Sequence, residues 1–452
     1  MSKKLTKVTL ILIISLFLFT RLYKIGEIPV SVYWDEASIG YNAYSIAETG
    51  KDEWGEFLPL HFRAFGEFKL PVYIYSVVPF VKIFGLNEFA VRFPAVLFSL
   101  GAVILTYLLT KKLFNHTAAL WSSFFVTVSP WFFIFSRTGY EVTAGLMFYL
   151  LAIYLFFFLN KNSWFLFFSI LSFILSAYSY NSFRIISPLT LIILFTIERE
   201  NLAVFKKSLS VVALSAVILG LSLWPIYRLY VYDAGIFRFL AVGAEKTNFI
   251  KNYFSHFNPD FLISGDKNLR SQQKGFGQIF PYDFLLLPLG LLFIIKFKSK
   301  YGLLALALVL ISMIPAAMTK ESPHALRSLS VVPFISMISA MGVIFFKKYS
   351  FVFLVISLAF FMNYFLNFIY IYPGYSKTAW QSGYREIFMN INDSAPEKIA
   401  VPDKDGQPYI FALFYLKYDP EKFRQEVVRN SVDQWGFSTV KQFGKFEFIK
   451  DE

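Results

Sequence analysis

Cysteine is missing from this chain altogether, and histidine is scarce, with four in 452 residues. Without cysteine there is no disulfide framework, no thiolate zinc site and no thiol nucleophile. The histidines stand scattered at 61, 116, 256 and 324, and neither an HExxH pair nor a phosphate-binding glycine loop occurs. Charge is scarce too. Only 16% of residues are charged, where a soluble domain carries about 25%. So few charges cannot cover a water-facing surface, which excludes a disordered chain, a fibrous repeat and an ordinary cytosolic enzyme. Acidic residues are the rarer sign, 30 against 43 basic, for a net charge of +13. That excess invites a nucleic-acid reading, but the placement of the cations argues against it.

What is abundant is apolar. The chain is 56% hydrophobic and 20% aromatic, with 56 phenylalanines and a mean hydropathy of +0.53. Its length would suit about three soluble domains; here it is better divided into roughly ten spans of about 20 residues plus loops. Apolar runs occur near 8–23, 91–110, 117–135, 140–159, 163–180, 185–197, 208–230, 283–295, 301–318, 328–346 and 349–371. Two of them, 185–197 and 283–295, are short, and bilayer thinning accommodates short spans. With Lys3, Lys4 and Lys7 cytoplasmic, every second connection carries cations: Lys111 and Lys112; Lys161; Arg199, Lys206 and Lys207; Lys296, Lys298 and Lys300; Lys347 and Lys348. These pieces hold fourteen Lys/Arg against Glu198 and Glu200 alone, the bias expected of cytoplasmic loops. The expected fold class is an all-α polytopic membrane protein of about eleven helices, N-terminus in and C-terminus out, with a small α/β extracytoplasmic appendage. The first run lacks a small-x-small cleavage site, so it is expected to stay as a span.

The stretch 71–86 is apolar but too short to cross, and Pro79 and Lys82 interrupt it. It is expected to lie in the outer interface as an amphipathic helix. The membrane domain then covers 1–372, with a first outer loop at 24–70 and another outer segment at 232–282. The tail 373–452 is rich in proline and mixed charge, with strand-like KIAV (398–401) and KFEFI (445–449). Its length allows a modest core of its own. Asp403-Lys404-Asp405 resembles a metal-diphosphate pair, but the following Gly406 and Pro408 favour a turn. Asp433-Gln434-Trp435 carries no weight, because its order is wrong for a Trp-Trp-Asp motif.

Chemistry gathers in the first outer loop. Asp35 and Glu36 follow Tyr33 and Trp34, and Arg63, Glu67 and Lys69 come later. At the edge of low dielectric a carboxylate gains basicity, so the pair suits general-base work. Equally, acidic residues suit the first turn of a helix expected over 36–48. Lys69 can meet an anionic group or simply snorkel to lipid headgroups. Arg92, Arg137, Glu141, Arg184 and Arg228 stand at span mouths. In Lys320–Arg327, Ser322-Pro323 is a helix start, and His324 and Arg327 share one face of its first turn. A helix N-terminus with an arginine is an anion site; plain boundary anchoring is the other reading.

A first span, then W-D-E-A, then E-x-K-x-P-x-Y opening an apolar helix, then R-F-P before the next span, resembles the GT-C membrane glycosyltransferases. The branch is that of the dolichyl-phosphate-mannose protein mannosyltransferases and the lipid A aminoarabinose transferase. Ser129-Pro130, Ser136-Arg137, Tyr178-Ser179-Tyr180 with Arg184 and Pro188, and His324/Arg327 with Pro333 are similar landmarks, over roughly 5–346. The resemblance implies a polyprenyl-phosphate sugar donor used at the outer membrane face, without a metal or other cofactor, and a protein, lipid or glycan acceptor. It implies Asp35 as general base with Glu36 its partner, and Lys69, Arg63, His324, Arg327, Arg137 and Arg184 as donor-phosphate residues. Leu70 replaces a frequent second proline, which removes no chemical group. An acceptor hydroxyl attacking the anomeric carbon needs a base within about 3 Å, and fixed cations stabilise the departing phosphate. The implied location is the plasma membrane with an extracytoplasmic site. Two alternatives stand beside it: a polymerase or ligase of lipid-linked glycans, and a flippase or transporter. A transporter would place ionisable residues near mid-membrane, whereas here they gather at one face.

Overall fold

The computed structural model describes residues 2–200, 208–231, 248–391, 398–404, 406–431 and 438–449. Lys206, Lys207, Asp405 and the 433–436 stretch lie outside the described residues, as does 232–247 of the second outer segment.

All eleven apolar runs are helical. Lipid offers no hydrogen bonds to the backbone, and a helix satisfies its own. Among the described residues, five helices are long and apolar enough to cross a membrane: Lys3–Leu22 (α1), Glu88–Leu113, Leu209–Val231, Lys300–Ala317 and Lys347–Tyr370. A sixth, His116–Val128 with Pro130–Arg137, is bent by 63° where Ser129 precedes Pro130. The remaining apolar helices, such as Val142–Phe156 and Trp164–Ala177, are shorter. Large apolar side chains face outward along these helices, among them Ile11, Leu12, Leu221, Trp224 and Phe351. Water would not tolerate such a belt and lipid does; the chain is a multi-pass membrane protein.

The helix ends fall into two sets by the residues they carry. Lys111, Lys112, Lys161, Lys296, Lys300, Lys347 and Lys348 mark one set. At that end Lys300 pairs with Glu198 at 2.7 Å. The opposite ends surround the main cavity. In the core, Gly342 lets its helix approach Asp283–Lys296 closely, since a Cβ there would lie 2.2 Å from the Leu286 carbonyl oxygen.

Between α1 and the helix Glu88–Leu113 (α4) lie two further helices, Trp34–Thr49 (α2) and Pro71–Phe84 (α3). Pro71 occupies the first position of α3, where its missing N–H costs nothing. With 14 residues, α3 is about 21 Å long against about 30 Å of hydrocarbon. It packs on α2 and α4. A short antiparallel pair, Phe62–Arg63 (β1) with Phe68–Lys69 (β2), delivers the chain to α3.

The tail is α/β. Its strands Ile399–Pro402 (β3), Val428–Arg429 (β4), Val440–Phe443 (β5) and Phe446–Ile449 (β6) form a sheet of order β3-β6-β5-β4. The two strand-like pieces of sequence supply β3 and β6. Its buried side chains are continuous with those of the first outer loop: Phe411, Phe414 and Phe443 share one cluster with Ala37, Tyr41 and Ile74 of α2 and α3. Gly40 permits this contact, because a Cβ would lie 2.7 Å from the Phe414 ring.

Candidate active site

The segment joining α1 to α2 is held by two buried arginines. Arg137 donates to the carbonyls of Thr20, Arg21 (2.9 Å), Tyr23 (2.7 Å) and Ile28 (3.3 Å). The last carbonyls of a helix have no partner within it, and Arg137 supplies one. Arg92 donates to the carbonyls of Ile25, Pro29 and Ser31. It also forms a two-pronged pair with Glu36, at 3.0 and 3.1 Å. Glu36 further accepts from Gly139 N–H at 2.7 Å and, capping its own helix, from Tyr33 N–H at 3.3 Å. Two expectations are corrected here. Arg137 is a backbone clamp and does not line the cavity, and Glu36 is fully buried on the far side of α2 from it. The reason is helical geometry: adjacent residues on a helix do not share a face.

Asp35, on the other side, faces a cavity of about 1120 Å³. Lys69 Nζ donates to Asp35 Oδ1 at 2.6 Å and to Glu67 Oε1 at 3.1 Å. Glu67 stands in the bend just before β2 and Lys69 ends that strand, which brings the carboxylate onto the ammonium. Glu141, at the start of helix Val142–Phe156, completes the group. Burial alone would lower the Lys69 ammonium, but Asp35, Glu67 and Glu141 outweigh it and hold it well above the ordinary lysine value. Burial pushes Glu141 up to about 7 despite Lys69 nearby. Tyr33 N–H and Trp34 N–H are both capped: Trp34 N–H donates to Gln381 of the tail at 3.1 Å.

Arg270 forms the facing wall. Its guanidinium lies 3.5 Å from the centre of the Tyr33 ring, and Asp35 acts on it electrostatically. The sequence reading left Arg270 unassigned within 232–282, a stretch without a motif. Glu67 and Glu141 were visible only as loop charges; the E-x-K spacing was the available signal for Glu67.

The other expected residues divide. Arg184 lines the cavity with Nη1 3.1 Å from Tyr230 Oη. Arg327 lines it too, and donates to Thr319 Oγ1 at 2.8 Å and Glu321 at 3.2 Å. His324 is on the same wall, but burial and the neighbouring Arg327 push it down to about 3, so it stands neutral and is no cation. Residues 322–328 form turns rather than the expected helix start. The backbone donors go elsewhere: His324 N–H to His256 Nε2 at 3.2 Å, and Ala325 N–H to Asp266 at 3.0 Å. Arg63 is also corrected. It lies over Trp54, 4.9 Å from the ring, and is not part of the cavity wall. Among the described residues no three His, Asp or Glu side chains converge as a metal would require.

Residues 69–227 match the profile of the dolichyl-phosphate-mannose-protein mannosyltransferases. Structural similarity extends over most of the chain. ArnT from Cupriavidus metallidurans, bound to undecaprenyl phosphate, superposes with a TM-score of 0.58 at 11% identity, over 92% of this chain and 85% of that one. The archaeal oligosaccharyltransferase AglB from Archaeoglobus fulgidus, with an inhibitory peptide and a dolichol-phosphate, gives 0.53 at 16% identity, over 91% and 64%. The chain has the GT-C fold. A Bacillus subtilis (strain 168) protein, YkcB, provisionally named a mannosyltransferase, is 28% identical over 199 residues. That match takes in 43% of this chain and 26% of YkcB, so the chain spans about a quarter of that relative. The shared fold agrees with the mostly helical architecture.

Proposed function

We propose that this GT-C chain is a glycosyltransferase that moves a sugar from a polyprenyl-phosphate donor to a protein, lipid or glycan hydroxyl at the extracytoplasmic face of the plasma membrane. The observation that carries this is Asp35 and Lys69 meeting on the wall of a cavity at the helix ends opposite those that carry Lys111, Lys112, Lys161, Lys296, Lys347 and Lys348. The AglB and ArnT structures, which hold dolichol-phosphate and undecaprenyl phosphate, support the donor class. The Lys/Arg bias of the opposite helix ends supports an outward-facing cavity.

In this reading the acceptor hydroxyl attacks the anomeric carbon from the side opposite the phosphate. A new carbon–oxygen bond forms, the bond to the phosphate oxygen breaks, and the configuration inverts. The hydroxyl proton passes to Asp35, and the bonding pair stays on the departing phosphate. Lys69 and Arg270 are the cations that stabilise that charge in a low-dielectric site, with Arg184 and Arg327 further along the wall. A lysine and arginines do the electrostatic work for which other transferases use a divalent ion, so turnover is expected in chelator.

The test is direct. Mass spectrometry of lipid-linked sugars and glycans, in cells with and without the gene, should show a polyprenyl-phosphate sugar accumulating and one glycan losing a residue. An unchanged profile for both would overturn the reading.

A further inference from the structure

The segment Phe57-Leu58-Pro59-Leu60 exposes its side chains without an evident protein partner: Phe57 is 70% exposed, Leu58 49% and Leu60 51%. Yet this turn is held in place. Leu58 N–H donates to the Gly50 carbonyl at 3.0 Å, Phe57 bridges Lys51, and Tyr75 of α3 donates its hydroxyl to the Pro59 carbonyl at 2.9 Å. Through Tyr75 the turn continues into one stripe of α3, Val72, Tyr75, Pro79 and Ile83, spaced as one helical face and graded from half-buried to exposed.

The depth of this surface follows from its neighbours. The next residue, His61, has its ring 5.9 Å from that of Tyr178, and Tyr178 donates to the Ser222 carbonyl at 2.5 Å. Ser222 lies within the apolar helix Leu209–Val231, nine residues before its end, or about 14 Å along the axis. Around it that helix presents Leu221, Leu223, Trp224 and Tyr227 outward. The turn therefore sits at the level of a lipid-facing belt and continues it. A water-exposed patch of this kind would be costly, whereas hydrocarbon covers it without loss.

We propose that residues 57–60 and the outer stripe of α3 form a single surface inserted into the acyl region of one leaflet. Insertion sets the height of Lys69 through the hairpin that follows, in which Phe62 is the register partner of Lys69. The identity of the leaflet rests on the proposed function; insertion itself does not.

Absence of cysteine makes the test clean, because Phe57→Cys and Leu60→Cys each give a single labelling site. Nitroxide on either, in the full chain reconstituted into phosphatidylethanolamine–phosphatidylglycerol vesicles, should collide readily with oxygen and poorly with a water-soluble nickel chelate. Lys441→Cys, on exposed β5, should show the reverse. Free access of the nickel chelate to 57 and 60 would overturn insertion. Poor access of both reagents would also overturn it, by placing a second copy or another protein on the turn. The double variant Phe57→Ser/Leu60→Ser should bind undecaprenyl phosphate several-fold more weakly in vesicles and equally well in detergent. Equal loss in both would overturn the link to the height of Lys69. If the unmodified protein binds no undecaprenyl phosphate, the donor reading fails and the collision data still decide insertion.

Discussion

The Lys69 ammonium lies 2.6 Å from an Asp35 carboxylate oxygen, across 34 residues of sequence. A second carboxylate, Glu67, holds the same nitrogen at 3.1 Å. An ammonium has three donors, and two are committed. Under the proposed mechanism, a phosphate reaching Lys69 would meet a cation already oriented by Asp35, so one side chain would place base and leaving group relative to each other.

Replacing Asp35 by Asn keeps the side-chain shape and removes the basicity. Sugar transfer should fall by at least about 100-fold, the lower range for a lost general base, while undecaprenyl phosphate still binds. Transfer assays and binding by the same reconstituted protein would check this, and unchanged transfer would remove Asp35 from its role.

Lys69→Met leaves the Asp35 and Glu67 carboxylates without the cation that both now contact, and Glu141 without its nearby positive charge. Donor-phosphate affinity should drop by about tenfold or more, and thermal stability should fall as well, since a buried partner removed leaves uncompensated charge. Isothermal titration with undecaprenyl phosphate and a melting curve measure the two effects. Undiminished affinity would return Lys69 to a headgroup contact.

Glu36 predicts a different outcome from Asp35. Both it and Arg92 are fully buried, and Glu36→Ala should cost about 3–5 kcal/mol of stability by stranding the guanidinium. Glu36→Ala/Arg92→Met should recover much of that loss in detergent melting experiments. A Glu36 variant that melts normally but lacks activity would contradict the structural role.

Glu141 sets a pH dependence. Burial raises it from 4.5 to about 7. A carboxyl raised on folding contributes stability that is full below about pH 4.5 and lost as pH climbs to about 7. Above that range Glu141 is a third negative charge near Lys69, after Asp35 and Glu67, so donor phosphate should bind less well than to Glu141→Gln. Comparing the two proteins from pH 5.5 to about 8.5 separates this from ionisation of the phosphate itself, which both share. Parallel profiles would rule Glu141 out.

Arg270→Ala should weaken undecaprenyl phosphate binding, and Arg63→Ala should not. The contrast follows from position: Arg270 stands over Tyr33 beside Asp35, whereas Arg63 stands over Trp54 outside the cavity. Equal losses in a binding titration would mean that the cavity wall does not select between them.

The helical runs were legible because lipid imposes a one-dimensional rule on composition, and no partner elsewhere in the chain can alter it. That Asp35 and Lys69 stand out was legible because a loop between apolar runs rarely carries such charges beside aromatic residues; their contact at 2.6 Å came from the structure. Glu36 and Arg137 were misread for a common reason. Sequence shows that a charge is present near a membrane surface, but not whether it turns toward solvent or inward to satisfy backbone carbonyls. Arg270 was missed because nothing local distinguishes an arginine that stacks on a tyrosine 237 positions away from one in free solution. The turn at 322–328 was read as a helix because Ser-Pro suits a helix start; His256 and Asp266, distant in sequence, took the backbone donors instead.

By itself the sequence determined the membrane solvent, the positions of the helices and the alternation of cations between their ends, since each depends on local composition against lipid. Only the tertiary structure decided which charges share a cavity, which are buried clamps, and that the tail packs into the first loop. Those outcomes depend on three-dimensional packing between segments hundreds of residues apart, and burial then fixes what each charge can do.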